Sequence, residues 1–350
     1  MQNSIPVAVV GASGYAGEEL VRLLLGHPQA DLVGVTSRQY AGQTLAQVFP
    51  KFSHFPKAKM LRFNEPNAEL IARDAQVVFL ALPHGVAAEY AVPLLQLGCK
   101  VIDLSADFRL RSADVYKEFY THDHPAPDLL KTAVYGLPEV YRDSIRSGSL
   151  IACPGCYPTS ILLPTLPLLA AKLIDTTSII ADSMSGVTGA GRKVEQDYLF
   201  AECNESLRPY GVPKHRHLSE LEQEMTAAAG ETVTIQFTPH LVPVNRGILT
   251  TVYANLPKGS DVAESSARIA KAYQHAYAAE PFVRMVEGKA LPDTKNVVGT
   301  NFIEIAWRVD PRTKRVILMS AEDNIVKGTS GQAIQCFNIM SNLPETTGLY

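Results

Sequence analysis

Cys156 stands in the stretch "ACPGCYPTS" (152–160), between Pro-Gly and Tyr-Pro-Thr, with Cys153 three positions before it. Three chemistries compete for such a pair: a dithiol redox centre, half of a metal site, or one nucleophile beside an inert neighbour. Proline is tolerated in the first turn of a helix, so "YPTSILLPTLPLLAAKLI" reads as a helix starting at 157–158 with Cys156 at its entrance. There the helix dipole and open backbone amides lower a thiol pKa. The same amides can hold an oxyanion formed by attack on a carbonyl. Pro164 and Pro167 are expected to kink the helix. A redox C-x-x-C normally follows the first strand of a thioredoxin-like unit. Zinc would need two more soft ligands at suitable spacing, and no second C-x-x-C or paired histidine supplies them. The residues favour a thiol nucleophile and no metal.

A thiol nucleophile needs an acid–base partner. "VPKHRHLSELEQE" (212–224) offers His215 and His217, two apart before a helical stretch. His84 in "LPHG" and the pair His122 and His124 in "YTHDHPAP" are less well placed for chemistry.

A second site opens the chain. "VVGASGYAGEEL" sets Gly11, Gly14 and Gly17 at G-x-x-G-x-x-G spacing, after a strand and at the start of a helix, with Ser13 and Tyr15 in the same turn. Glycines there allow a tight turn and let backbone approach a pyrophosphate, which the helix N-terminus favours. The middle glycine is displaced by one from the usual dinucleotide fingerprint. An NAD site places an acid at the end of the second strand. Here that end reads "VTSRQYAG", and Asp31 lies at the strand's start. Ser37 and Arg38 suit a 2′-phosphate instead, so NADP is the expected cofactor.

These sites need elements to hold them. Strand-like runs at 5–11, 31–37, 76–83 and 100–106 alternate with helical stretches, the pattern of a parallel sheet covered on both faces. After about residue 155, β-branched runs at 232–256 and 301–324, the latter folded at "DPRTK", flank a helical segment at 262–280. That texture predicts an α+β unit with an antiparallel or mixed sheet, and the helix ending at 340 could return to the first unit. The chain's 350 residues, 46% hydrophobic, suffice for two such cores. A net charge of −3 without charged blocks argues against nucleic acid or a membrane surface as partner. No signal-peptide pattern and no membrane-length apolar run is present, and five cysteines suit a reducing compartment, so a cytoplasmic protein is expected.

In chain order, "VAVVGASGYAGEELVRLL", "VTSRQYAG", "FLALPHG", "VIDLSADFRL", "AVYGLPE", "PGCYPT", "SGVTGAGR", "HRHLSE" and "EDNIVKGTSGQA" closely resemble the N-acetyl-γ-glutamyl-phosphate reductases, NADPH-dependent enzymes of arginine biosynthesis. The resemblance spans essentially the whole chain. It implies a Rossmann-like NADP-binding domain (1–155 with 329–350) and an α+β catalytic and dimerisation domain of the semialdehyde dehydrogenase type (156–328). It implies that Cys156 attacks the acyl phosphate of a small-molecule substrate, that His217 rather than His215 is the acid–base residue, and that the chain forms a homo-oligomer, dimer or tetramer. Pro83, His84, Gly85, Ser105 and Asn324 would line the cofactor cleft. Arg109 and Arg192 are the expected anchors for substrate phosphate and carboxylate, since a guanidinium binds either bidentately. Ser185 to Gly191, with Ser185 and Gly186 on the substrate, are expected to form a backbone nest beside the thiol. Thr188 stands where the family usually has serine, and no role transfers to Cys153. A lysine-pathway relative acting on a carrier-bound aminoadipyl phosphate shares nearly all these motifs. A non-catalytic NADP-sensing regulator is the reading from another class.

Overall fold

The structure, a computed structural model, describes residues 4–192 and 194–350. The apolar run "IPVAVV" forms β1 (Ile5–Val10), whose last four residues are buried, as a strand covered on both faces requires. α1 (Tyr15–Gly26) follows with Leu20, Leu23 and Leu24 turned inward. The chain continues through β2 (Ala30–Thr36), α2 (Leu45–Val48), α3 (Pro56–Met60), β3 (Phe63–Asn64), α4 (Ala68–Asp74), β4 (Val77–Leu80) and α5 (Ala87–Gln96). β5 (Lys100–Asp103), α6 (Ala113–Tyr120), β6 (Val134–Tyr135), α7 (Pro138–Ser147) and β7 (Leu150–Ala152) complete this run. The strands pair in parallel in the order β3-β2-β1-β4-β5-β7-β6. The chain therefore works outward from β1 to β3, then crosses back to lay β4 on the other flank of β1. An open parallel sheet leaves a ligand crevice at such a reversal, outside the carboxyl ends of the two strands.

The next stretch begins with α8 (Cys156–Ala170), followed by β8 (Ile180–Gly186), α9 (Phe200–Cys203), β9 (Arg208–Pro209) and α10 (Leu218–Ala229). Then come β10 (Gln236–Val242), β11 (Ile248–Asn255), α11 (Val262–Tyr277), β12 (Val283–Met285), β13 (Ile303–Asp310) and β14 (Arg315–Glu322). Their sheet is mixed, ordered β12-β13-β14-β11-β8-β10-β9, and its long β14 is antiparallel to both β13 and β11. α8 is buried along almost its whole length, packed on β11, β14, α10 and α11. A π-helical turn, Val326–Ser330, leads into α12 (Gly331–Met340), which packs on α1 and α7. The chain divides into two compact units, Met1–Pro154 with Thr329–Tyr350 and Gly155–Gly328. Among the described residues no helix is long and apolar enough to cross a membrane.

One local expectation is corrected. The helix at the cysteine begins one residue earlier, with Cys156 as its first residue and Gly155 as N-cap. It runs unbroken through Pro164 and Pro167 to Ala170. A proline at position i strips the carbonyl at i−4 of its donor, here Ser160 O and Leu163 O. Ser320 Oγ donates to Ser160 O at 2.6 Å, and Tyr277 Oη donates to Leu163 O. Neighbouring elements therefore supply the hydrogen bonds that the prolines remove.

Candidate active site

Cys156 is half-buried at the N-terminus of α8, where Gly155 provides no side-chain cap. Pro158 lacks an N–H, so the first-turn amides are those of Cys156 and Tyr157. The imidazole of His217, 7% exposed, lies against the backbone just before the cysteine. A Cβ on Gly155 would sit 2.5 Å from His217 Nε2, so only glycine lets the ring approach this close. Glu220, on the first turn of α10 and fully buried, completes the group. Its Oε2 accepts the Gly155 N–H at 3.0 Å, while Oε1 stands 3.9 Å from His217 Nε2. On the other side of the thiol, a Cβ on Gly328 would come within 2.8 Å of Cys156 Cβ and 3.0 Å of Glu322 Oε1. Thiol, imidazole and buried carboxylate thus sit together in one unit, the constellation of an activated nucleophile.

His215 is excluded from acid–base work by its surroundings. Its Nδ1 accepts the His217 N–H at 3.1 Å, which assigns the ring proton to Nε2. Burial, reinforced by the Arg216 charge, pushes its pKa down to about 4. The ring stays neutral at working pH and serves as an acceptor for the backbone that carries His217. Tyr157 adds a wall: its hydroxyl donates to His240 O at 3.3 Å and accepts from Tyr210 at 3.0 Å. Burial raises the Tyr157 phenol pKa well above its ordinary value.

The expected nest at 185–191 is not formed by the amides that enter it. Gly186, Val187 and Thr188 donate their N–H groups to Gly247 O, Val244 O and Asn245 O, so these three tie β8 to the β10–β11 connection. Asn324 does similar work: Oδ1 accepts the Gly247 N–H at 2.8 Å, and Nδ2 donates to Thr188 Oγ1 at 3.0 Å. Ser185 is buried, with its hydroxyl on Gly186 O, and Arg192 is exposed. Arg109 lies in the first unit, where its buried guanidinium donates to Leu104 O at 2.9 Å.

The glycine turn occupies the crevice between β1 and β4. Gly11 brings the two strand ends into contact, since a Cβ on it would lie 2.3 Å from Ala81 O. Gly14 differs: its φ of −73° is open to any residue, and the nearest protein atom to a Cβ there is 3.9 Å away. Nothing in the fold demands a glycine at 14, whereas a ligand backed onto the first turn of α1 does. The residues present fit a dinucleotide pyrophosphate. At the end of β2, Ser13 Oγ and Ser37 Oγ are 3.0 Å apart, and exposed Arg38 reaches Tyr90 Oη at 3.4 Å. Tyr15, Pro83 and His84 are exposed around the same strand ends, while Ser105 is buried with its hydroxyl on Asp103. Cys153 is buried and free. Sequence reasoning missed Glu220 and Asp107. The first had a signal, because residues three apart in "HLSE" share a face of a helical turn.

Comparison with known proteins places these units. Residues 6–148 match the semialdehyde dehydrogenase NAD binding domain, so the first unit is a nicotinamide-cofactor domain, and residues 156–324 match the semialdehyde dehydrogenase dimerisation domain. The chain is similar in fold to aspartate semialdehyde dehydrogenase II of Vibrio cholerae, with TM-score 0.73 at 17% identity over 97% of this chain and 99% of that one. It is 57% identical to the N-acetyl-gamma-glutamyl-phosphate reductase of Akkermansia muciniphila over 99% of both chains. It is 49% identical to that of Pelotomaculum thermopropionicum over 99% of this chain and 98% of the relative. The chain belongs to the N-acetyl-gamma-glutamyl-phosphate reductase family.

Proposed function

We propose that this protein reduces N-acetyl-γ-glutamyl phosphate to N-acetylglutamate 5-semialdehyde, with release of inorganic phosphate, through a thioester on Cys156. The carrying observation is the placement of Cys156 at an uncapped helix N-terminus beside His217 and Glu220. Relatives 43–57% identical carry the glutamyl name, which favours that substrate over the aminoadipyl one.

The Cys156 thiolate attacks the acyl carbon, the C–O bond to phosphate breaks, and phosphate leaves with the electron pair. When bound in the first unit, a reduced nicotinamide would supply hydride chemistry for the thioester carbon. The oxyanion collapses to aldehyde and returns the thiolate. The amides of Cys156 and Tyr157 hold the oxyanion, a term of several kcal/mol in comparable sites, roughly 3 per donor. His217 takes the thiol proton and returns a proton where one is needed. Arg192 and Arg109 take the anionic groups of the substrate, with Ser185 and Gly186 beside them.

Gly11, Ser13, Gly14, Tyr15 and Gly17 hold the cofactor pyrophosphate, and Pro83, His84, Gly85, Ser105 and Asn324 belong to the cofactor site. Ser37 and Arg38 select NADP by meeting its 2′-phosphate, a reading supported by the absence of an acid at the end of β2. The second unit carries the self-association of a cytoplasmic homo-oligomer.

The test is direct. Cys156→Ser abolishes phosphate-dependent NADP reduction with the semialdehyde while NADPH still binds, and Cys153→Ser keeps turnover. Substantial activity in Cys156→Ser removes the nucleophile; equal loss in Cys153→Ser restores the redox pair.

A further inference from the structure

The turn at Pro83–Gly85 leaves β4 on the crevice side of the first sheet, with the His84 ring 5.6 Å from that of Tyr120. Pro83 and His84 are exposed, Gly85 has a left-handed φ of +83°, and Val86 caps α5 without a side-chain hydrogen bond. The backbone of the turn is held by a side chain 22 residues further on. Asp107 Oδ1 accepts the Gly85 N–H at 2.6 Å, and Oδ2 accepts the Ala88 N–H at 3.3 Å. One carboxylate thus spans the turn and the first turn of α5, where a negative charge also meets the positive end of the helix.

Asp107 is itself held from several sides. It is fully buried; Tyr116 Oη donates to Oδ1 at 3.3 Å, and its N–H donates to Ser105 Oγ at 3.1 Å. Its carbonyl accepts from His124 Nε2 at 2.6 Å, a ring that burial keeps toward the neutral form and whose Nδ1 accepts the Ala126 N–H. Ser105 Oγ in turn donates to Asp103 Oδ2 at 2.7 Å. Asp103 is pushed up to about 7, first by burial and then by the Asp107 charge. A buried carboxylate that only filled space would not direct both oxygens at one turn.

We infer that Asp107 is a positioning residue for the nicotinamide cofactor: its carboxylate sets the 83–85 turn in the conformation that lines the crevice between β1 and β4. The inference rests on the reading, made above, that this turn touches the cofactor. Asp107→Asn keeps the shape but leaves one acceptor oxygen for two amides and removes the charge. Weakening of NADPH binding by about tenfold is expected, about 1.4 kcal/mol.

The experiment measures NADPH dissociation by fluorescence titration on the full chain, with KM for NADPH and for the acyl phosphate. Asp107→Asn raises the dissociation constant and KM for NADPH and leaves KM for the acyl phosphate within about twofold, a split that general loosening would not give. Tyr116→Phe removes one donor to the same oxygen and shifts the same parameters less, which keeps the test decisive if Asp107→Asn does not fold. Gly85→Ala strains the turn directly. If Gly85→Ala weakens NADPH while Asp107→Asn and Tyr116→Phe bind it normally, Asp107 does not position the turn. If Gly85→Ala binds NADPH normally, the turn does not touch the cofactor, and the reading beneath the inference fails with it.

Discussion

Glu220 joins the two ends of the proposed chemistry, because one carboxylate reaches both the imidazole and the amide that precedes the nucleophile. Buried charge in this position is costly unless its partners are fixed, so the side chain holds His217 and Gly155 in one geometry. Glu220→Gln preserves the volume and replaces one acceptor by a donor, which faces either the Gly155 N–H or the ring. We expect kcat to fall by about ten- to a hundredfold, the range seen when a carboxylate orienting a metal-bound histidine is removed, with KM for NADPH unchanged. Steady-state kinetics checks this, and an unaltered kcat would remove Glu220 from the mechanism. The cysteine was legible because helix entrance, proline and apolar run are all local to 152–170. The imidazole beside it was one of two candidates in "HRH", and only the resemblance chose between them; Glu220 was not found at all. Its contact with Gly155 spans 65 residues of chain, and no local pattern encodes such a meeting.

At the level of elements, α8 shows where local rules yield to packing. Two prolines inside one helix would ordinarily cost roughly 3 kcal/mol each. Here Ser320 from β14 and Tyr277 from α11 donate to the carbonyls left open, and Tyr273 Oη donates to Pro164 O at 2.5 Å. The prolines thus turn backbone acceptors of α8 toward its neighbours and lock the helix that carries Cys156 into the second unit. Removing one donor leaves a buried carbonyl unsatisfied, at about 1–3 kcal/mol. Tyr277→Phe and Ser320→Ala should each lower Tm by several degrees, about 2–4 °C per kcal/mol in domains of this size. Thermal melts in which both variants match the parent would show that the acceptors find water instead. Elements with strong periodicity were readable in advance: β1, α1, α11 and the β13–β14 hairpin fall within the stretches marked for them. β8 escaped because "IADSMSG" alternates small polar residues with few β-branched ones. The two-residue strands β3, β6 and β9 escaped because sheet pairing, not local sequence, makes them strands.

For the molecule as a whole, the outer face of the second sheet carries the remaining argument. α8 covers one side of this sheet, where Ala181, Ser183, Thr250 and Val252 are buried. Alternation sends Met184 and Leu249 to the opposite side, directly across from one another in the β8–β11 pairing, 42% and 37% exposed. Tyr253, Ile317 and Met319 extend the same face through the β11–β14 pairing, half-buried. Asp182 and Thr251, paired with one another, share this face between Met184–Leu249 and Tyr253; a sheet face facing only water would be polar at the other positions too, and exposed apolar side chains gathered on one face mark an interaction surface. The unit that bears it matches a dimerisation domain, so a second copy of this chain is the natural occupant. Leu249→Glu and Met184→Glu place a charge where the face would be sealed, and burying an unpaired carboxylate is costly enough to block association. Light scattering after gel filtration should report an oligomer for the parent chain and a lower mass for each variant, with unchanged circular dichroism. Leu70→Glu, at a position 57% exposed on α4 of the first unit, should leave the mass as it was. Variants that keep the parent's mass would place the association on some other surface, and a monomeric parent would remove the association itself; either leaves this face without an occupant.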